Sequence, residues 1–201
     1  MPEVIGHHGR LSPTRIRRLY IGTINSRSIS TAARQIELDN VMEKIKCDIL
    51  YIPGVTEARI PCSGSYELPS SMILFYSGGE TAHCGMAFFV GQPLAREVRF
   101  TPISDRLGNL YHPSLKVFVI VCYAPASSKD KNVDYENFLE EVERTYRRVL
   151  KGVTPIILGD MYAKMGREVR NEQIIGKYTI DALNDGGRLL TDMLTKLGLR
   201  A

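Results

Sequence analysis

Residues 154–166 read TPIILGDMYAKMG, a short apolar run that ends in Gly159 and Asp160. The run is rich in branched side chains and is bounded by turn-forming residues, which predicts a buried strand over residues 154–158. Asp160 then lies just beyond the carboxyl end of that strand, where the ligands of sheet-based folds gather. This stretch therefore predicts a buried sheet and one candidate site residue.

Two other polar residues follow predicted strands in the same way. Asn25 comes after LYIGTI (residues 19–24), and Glu57 comes after CDILYI (residues 47–52), which a Pro-Gly pair is expected to end. Carboxylate and amide oxygens suit Mg²⁺, which is usually held by one or two carboxylates and keeps several waters. Spacing alone favours the simpler interpretation that each residue caps a turn. The residues therefore allow either a sparse hard-cation site or three ordinary turns.

The rest of the chain alternates strands and helices around a strand-dense middle. Strands are predicted over residues 71–76, 85–90, 96–100, 107–111 and 115–123. Helices are predicted after Ser28 or Ser30, over residues 134–150, and from about Asn184 onward. The first of these helices is expected to bury one face made of Ile29, Ala33, Ile36, Val41 and Ile45. Strands covered by helices at intervals indicate an α/β or α+β sandwich.

The composition is that of an ordinary globular domain. Hydrophobic residues make up 44% of the 201 residues and charged residues 24%, which excludes a disordered or membrane-embedded chain. The first 18 residues carry four arginines and predict a flexible basic arm before a domain over residues 19–201. The net charge of +4 permits a polyanionic partner without requiring one.

Cysteine spacing and the N-terminus bear on the compartment. The four cysteines form no CxxC pair, so a zinc knuckle is not expected and they are interpreted as reduced packing residues. The N-terminus lacks the apolar run of a secretory signal. We therefore expect an intracellular protein, nuclear or cytoplasmic, that is not secreted.

Seven segments, in this order, resemble the endonuclease/exonuclease/phosphatase superfamily, which has the DNase I-like fold. They are YIGTINSRSIS, DILYIPGVTEARI, YSGGETAHCGMAFFV, TPISDRL, VIVCYAPASS, IILGDMYAKMG and NDGGRLLTDMLTKLGL. In particular they resemble the endonuclease domains of non-LTR retrotransposons and the craniofacial-development-protein-like genes derived from them. The resemblance spans residues 19–199 and implies a four-layer αββα sandwich, incomplete at its C-terminal end.

The resemblance also implies roles for four polar residues. Glu57 matches the family's metal-ligating Glu, and Asn25 matches the Asn of its first strand motif, with a part in metal binding and catalysis. Tyr123 matches a Tyr whose hydroxyl lies beside the scissile phosphate. Asp160 matches the Asp that orients or deprotonates the attacking water. The implied activity is hydrolysis of DNA phosphodiesters with Mg²⁺ or Mn²⁺, without a membrane partner or a small-molecule cofactor.

Two more positions are implied to contact substrate: Arg106, in SDRL, and Tyr162, in GDMYAKMG. At Tyr162 the family has Asn, and a phenol cannot reproduce the donors of an amide. Loss of one preorganised donor commonly costs about 10²–10³ in rate. The strand before Glu57 is also longer than the family's spacing, which is expected to displace its carboxylate.

The family's closing SDH segment has no match in this sequence. The histidines are His7 and His8, in the basic arm, and His83 and His112, which are expected in surface turns. The resemblance thus implies an endonuclease whose activity in this chain is weak or lost.

Two other classes of function stay open. One is a non-catalytic domain of the same fold that binds nucleic acid or protein. The other is a phosphomonoesterase acting on inositol phosphates or lipids, although the basic phosphate-reading motifs expected for it are missing. We also expect poor solubility of the chain alone, because a sandwich without its last strands exposes apolar surface and open edges.

Overall fold

The computed structural model describes residues 19–45, 50–80, 84–125, 132–166, 174–176 and 182–201. Its elements in chain order are β1 (Leu19–Asn25), α1 (Ala32–Ile45), β2 (Leu50–Thr56), β3 (Ser63–Glu67), β4 (Ile73–Ser77), β5 (Met86–Val90), α2 (Gln92–Ala95), β6 (Arg99–Pro102), β7 (Leu107–His112), β8 (Val117–Tyr123), α3 (Asn132–Tyr146), β9 (Thr154–Asp160) and α4 (Asp185–Leu197). The predicted basic arm over residues 1–18, residues 47–49 of the predicted second strand, and His83 lie outside the described residues.

The described strands form two sheets. The first has the order β1-β2-β5-β4-β3 and the second the order β6-β7-β8-β9. Within each sheet one pair is parallel, β1 with β2 and β8 with β9, and the other pairs are antiparallel. The two parallel pairs matter most for the site, because both strands of a parallel pair end at the same edge of the sheet.

Strand β5 shows why the central strands are continuously apolar. Met86, Phe88 and Val90 pack between the two sheets, whereas Ala87 and Phe89 pack on the opposite face. All five are completely buried. Successive side chains of a strand point to opposite faces, so a strand that is covered on both sides has no polar position.

The buried clusters define four layers. One cluster lies between the sheets and includes side chains from β5, β7 and β8. A second joins the outer face of the first sheet to Met42 of α1, and a third joins the outer face of the second sheet to Phe138 of α3 and Leu194 of α4. The predicted αββα sandwich is therefore confirmed.

Strands β1 and β9 are the edge strands on one side of their sheets. Tyr20 and Ile24 of β1 are about two-fifths exposed. Open edges of this kind can pair with other chains. The expected poor solubility and the expected incompleteness at the C-terminal end stay predictions. In the described part of the chain, no helix has the length and apolar character needed to cross a membrane.

The predicted buried face of α1 is wrong within the helix, although Ile29, just before the helix, is buried as expected. Ile36 and Val41 are 42% and 45% exposed, whereas Met42 and Asp39 are almost fully buried. Asp39 can be buried because its carboxylate accepts hydrogen bonds from the backbone N–H and the hydroxyl of Ser70. An apolar periodicity cannot detect a helix face that buries a satisfied carboxylate.

The predicted end of the second strand at Pro53 is also wrong. Strand β2 continues to Thr56, with Pro53 and Gly54 in register with Gly22 and Thr23 of β1. Pro53 has no backbone N–H, but the ladder with β5 begins only at Gly54, so no hydrogen bond with β5 is lost at Pro53. Gly54 is needed because a Cβ there would lie 2.3 Å from a methyl group of Val121 in the other sheet.

Two other features differ from expectation. Strand β3 was not predicted, because its sequence, SGSYE, has neither an apolar run nor a strong alternation. His112 is buried at the end of β7 and not in a surface turn, and its Nδ1 accepts the backbone N–H of Leu115. Burial lowers the pKa of His112, so its imidazole is neutral at pH 7.

Candidate functional site

The candidate site lies where the two parallel strand pairs end. β1 and β2 are aligned up to Asn25 and Thr56, and β8 and β9 are aligned up to Tyr123 and Asp160. Strand β9 lies against both β1 and β2 across the space between the sheets. The carboxyl ends of these strands therefore meet, and Glu57 follows β2 directly into the same region.

The side chain of Asn25 joins the two carboxylates. Its Nδ2 donates to Glu57 Oε1 at 2.7 Å and to Asp160 Oδ2 at 3.3 Å. Its Oδ1 accepts the backbone N–H of Arg27 at 3.0 Å. The predicted convergence of the three side chains is confirmed, and their chemical roles stay predictions. Asn25 could present its oxygen to an ion only if the amide turned over and gave up the bond from Arg27.

Glu57 is held by a tight turn after β2 and not displaced from the site. Its φ of 55° is left-handed, as is the φ of 56° at Arg59. The backbone N–H groups of Ala58 and Arg59 donate to the carbonyls of Gly85 and Cys84, which fixes this turn against the start of β5. Arg59 Nη2 donates to Glu57 Oε2 at 3.3 Å, and the Arg59 side chain is 47% exposed. The turn thus adds an accessible cation beside the carboxylates.

Asp160 owes its position to the glycine before it. Gly159 has a φ of 139°, and a Cβ there would lie 1.8 Å from the carbonyl oxygen of Cys122. Only glycine lets β9 approach β8 this closely. The Asp160 carbonyl accepts the N–H of Ala124, and its Oδ1 accepts the N–H of Tyr162 at 3.2 Å. Both carboxylate oxygens of Asp160 therefore have fixed neighbours.

Tyr123 and Tyr162 form an aromatic pair beside the carboxylates. Their rings meet edge to face, with centroids 6.0 Å apart, and their hydroxyls are 3.5 Å apart. Burial, and then the hydrogen bond with Tyr162 and the charge of Glu57, raise the pKa of Tyr123 well above its usual range. The Tyr123 hydroxyl therefore keeps its proton at neutral pH and can act as a hydrogen-bond donor.

Arg106 contacts the same tyrosine from another direction. Its guanidinium carbon lies 5.3 Å from the Tyr123 ring centroid, and its Nη1 donates to the carbonyls of Tyr123 and Ala124 at 3.3 and 3.4 Å. These bonds fix the end of β8. Contact of Arg106 with a substrate stays a prediction.

Asn184, the N-cap of α4, is a site-supporting residue that the sequence analysis did not select. Its Oδ1 accepts the N–H groups of Gly187 and Lys164 at 2.8 and 2.9 Å, and its Nδ2 donates to the carbonyl of Tyr162 at 3.1 Å. The Asn184 N–H in turn donates to the carbonyl of Lys164 at 3.0 Å. One side chain thus caps a helix and holds the loop that follows Asp160.

We expect Asn184→Ala to lower the free energy of unfolding by about 2 kcal/mol, because it removes a helix cap and two further hydrogen bonds. Urea denaturation would measure this loss, and the Lys164 amide should exchange its hydrogen faster. Arg188→Ala, which removes only an exposed ion pair with Asp185, should change stability by less than about 0.5 kcal/mol. Equal effects of the two variants would contradict the proposed role of Asn184.

A cavity of about 570 Å³ opens beside these groups. Its lining includes Thr23, Asn25, Thr56, Asp160, Tyr162 and Lys164. Among the described residues, the hydroxyl of Thr56 is the one buried side-chain polar atom without a hydrogen-bond partner. A buried hydroxyl without a protein partner requires one from water or a ligand. The cavity is therefore suited to hold ordered water close to the carboxylates.

The donor set fits Mg²⁺ or Mn²⁺ and not a zinc-type site. In the part of the chain that the structure describes, no group of three or more His, Cys, Asp and Glu side chains could hold a metal. Glu57 and Asp160 offer carboxylate oxygens of the kind taken by an ion that has few protein ligands and keeps its waters. Such waters could also satisfy the hydroxyl of Thr56. His112, the only histidine among the described residues, is buried in β7 and does not line the cavity.

The layer order and the meeting of the parallel strand ends are those of a DNase I-like sandwich. Among the solved structures that match is CdtB, the biologically active subunit of Cytolethal Distending Toxin, with a TM-score of 0.50 and 16% sequence identity. The match covers 72% of this chain and 68% of CdtB. At this identity the similarity shows the fold alone. No protein-family model matches the sequence, and no curated protein does.

Proposed function

We propose that the site is a metal-dependent phosphodiester hydrolase that acts on DNA. The observation that carries the proposal is the Asn25 amide bonded at once to Glu57 and Asp160, at the joined strand ends of a nuclease-type fold.

Glu57 is the residue that would hold the ion, and the shared Asn25 amide keeps Asp160 beside it. When bound, Mg²⁺ or Mn²⁺ would supply Lewis-acid stabilisation of charge on a phosphate oxygen. Asp160 would orient the attacking water and accept its proton, because it lines the cavity and both of its carboxylate oxygens are held by N–H donors. Asn25 would hold the two carboxylates at a fixed separation, because its Nδ2 donates to both of them.

Charge on the phosphate would be met by groups around the cavity. The Tyr123 hydroxyl keeps its proton and would donate to a phosphate oxygen. Arg59, which pairs with Glu57, and Lys164, which lines the cavity, are both exposed cations. Tyr162 takes the place of an amide donor, so we propose slow turnover, about 10²–10³ below that of a site with the amide.

The resemblance of the seven segments supports a finer assignment. We propose that the chain descends from the endonuclease domain of a non-LTR retrotransposon, as the craniofacial-development-protein-like genes do. The thiols of Cys62, Cys84 and Cys122 are free. We also propose a nuclear or cytoplasmic location.

Nicking of supercoiled plasmid tests the proposed hydrolase. We expect slow nicking with Mg²⁺ or Mn²⁺, none with EDTA, and none by the double variant Glu57→Gln with Asp160→Asn. Glu143→Gln is a matched control, because Glu143 pairs with Arg147 and Lys196 on the outer helices, and it should nick like the wild type. Nicking by the double variant at the wild-type rate would contradict the assignment of the site.

A second candidate is a non-catalytic domain that binds nucleic acid, favoured by Tyr162 in the amide position and by the net charge of +4. Binding through phosphates weakens steeply as salt rises. Salt-sensitive retention on DNA without nicking in either metal would favour this candidate over the hydrolase.

A further inference from the structure

The aromatic ring of Tyr162 is partly exposed to solvent and lies beside the candidate site. It is 40% exposed, lines the cavity next to Asp160, and stands on a left-handed backbone with a φ of 47°. By contrast, Tyr135 on α3 is completely buried and donates its hydroxyl hydrogen to the carbonyl of Met161. Packing in the core accounts for an aromatic residue at position 135, but it does not account for one at position 162.

The ring of Tyr162 is held in place before anything binds. The backbone N–H of Tyr162 donates to Asp160 Oδ1, and the backbone carbonyl of Tyr162 accepts a hydrogen bond from Asn184 Nδ2. Its ring meets the ring of Tyr123 edge to face. A non-glycine residue in the left-handed region persists only when its surroundings fix it, and such positions concentrate at functional sites. A fixed, partly exposed ring can stack on a flat ligand with little loss of conformational entropy.

The neighbours of Tyr162 favour a ligand that is both flat and anionic. Lys164 lies two residues further along the same loop and lines the same cavity. Arg59 presents a second exposed cation beside Glu57. Proteins usually bind single-stranded nucleic acid with cations along its phosphate backbone and aromatic rings on which the bases stack.

We propose that Tyr162 is a stacking surface for a nucleobase next to the phosphate in the site, so that the site takes single-stranded or unpaired nucleotides in preference to intact duplex. The inference rests on the proposed function for the identity of the ligand as a nucleic acid. A base within a duplex is already stacked on both sides and must leave the helix before it can contact Tyr162.

The test compares two dye-labelled oligodeoxynucleotides of equal length, oligothymidylate and a fully abasic strand, by fluorescence anisotropy in EDTA. The wild type should bind oligothymidylate roughly tenfold to one hundredfold more tightly than the abasic strand. Tyr162→Phe should keep this ratio, because a phenyl ring still stacks. Tyr162→Ala should reduce the ratio to about one by weakening only the binding of oligothymidylate.

Tyr66→Ala is a matched control. Tyr66 on β3 is 37% exposed and also meets another tyrosine, Tyr76, edge to face. This variant should keep the wild-type ratio, and circular dichroism melting should show that all the variants are folded. A blunt-ended duplex should bind the wild type and Tyr162→Ala about equally.

An unchanged ratio in Tyr162→Ala would overturn the stacking proposal. Absence of binding to both strands would overturn it together with DNA as the substrate of the proposed hydrolase. The expected ratios without any nicking of plasmid would support stacking and overturn only the hydrolase, because binding in EDTA does not depend on turnover.

Discussion

Gly159→Ala is expected to lower the free energy of unfolding by about 3–5 kcal/mol, a large part of the stability of a small domain. The added Cβ would lie 1.8 Å from the carbonyl oxygen of Cys122, and 2.7 and 2.9 Å from that residue's carbonyl carbon and nitrogen. These are backbone atoms of the paired strand β8, so no side chain can move aside to make room. Relief requires β9 to move away from β8, which would also move Asp160. Urea denaturation followed by circular dichroism would measure the loss.

Gly152→Ala separates the clash from the backbone strain. Gly152 also has a positive φ, of 79°, but a Cβ there would have no neighbour within 4 Å. This variant should therefore lose only about 1–2 kcal/mol, the cost of a left-handed conformation for a residue with a Cβ. If the two variants were equally stable, the close approach of β9 to β8 would be wrong.

The layered fold could be predicted from the sequence because its central strands are covered on both faces. The run in β5 and the run in β8 before Tyr123 have no polar position, and such short runs between turn residues indicate buried sheet. The misassigned face of α1 depends on Asp39, whose burial requires a partner, Ser70, that is distant in sequence. The passage of β2 through Pro53 depends on where the ladder with β5 begins, which is a tertiary fact.

Some features of the candidate site could likewise be predicted from the sequence, whereas others depend on tertiary contacts. Asn25, Glu57 and Asp160 stand out in the sequence because each follows a predicted strand. Their spacing alone favours turn caps, and the family resemblance is what selects them as site residues. The contribution of Arg59 depends on two left-handed residues after β2, for which the segment TEAR carries no glycine signal. Asn184 could be recognised as a helix cap, but its bonds to the loop after Asp160 span about 20 residues and follow only from the packing of α4.

Glu57→Gln and Asp160→Asn are expected to impair nicking in different ways, with the largest effects on activity of any single substitutions here. Glu57 has an enclosed carboxylate: its side chain is 13% exposed, and both its oxygens accept hydrogen bonds from side chains, Asn25 and Arg59. A carboxylate that is enclosed in this way is suited to hold an ion. Glu57→Gln should therefore raise the Mg²⁺ concentration for half-maximal nicking by about tenfold to one hundredfold.

Asp160 stands next to the cavity and beside Tyr162, where substrate and water would lie. Asp160→Asn keeps an oxygen that can accept the N–H of Tyr162, so the loop should stay in place, but it removes the group proposed to take a proton from water. At saturating Mg²⁺ its maximal rate should fall by about 10²–10⁴, while the half-maximal Mg²⁺ concentration should change less than in Glu57→Gln. Titrations of nicking rate against Mg²⁺ would give both values for each variant. If both substitutions changed only the half-maximal Mg²⁺ concentration, both carboxylates would be ligands and the general base would have to be another group.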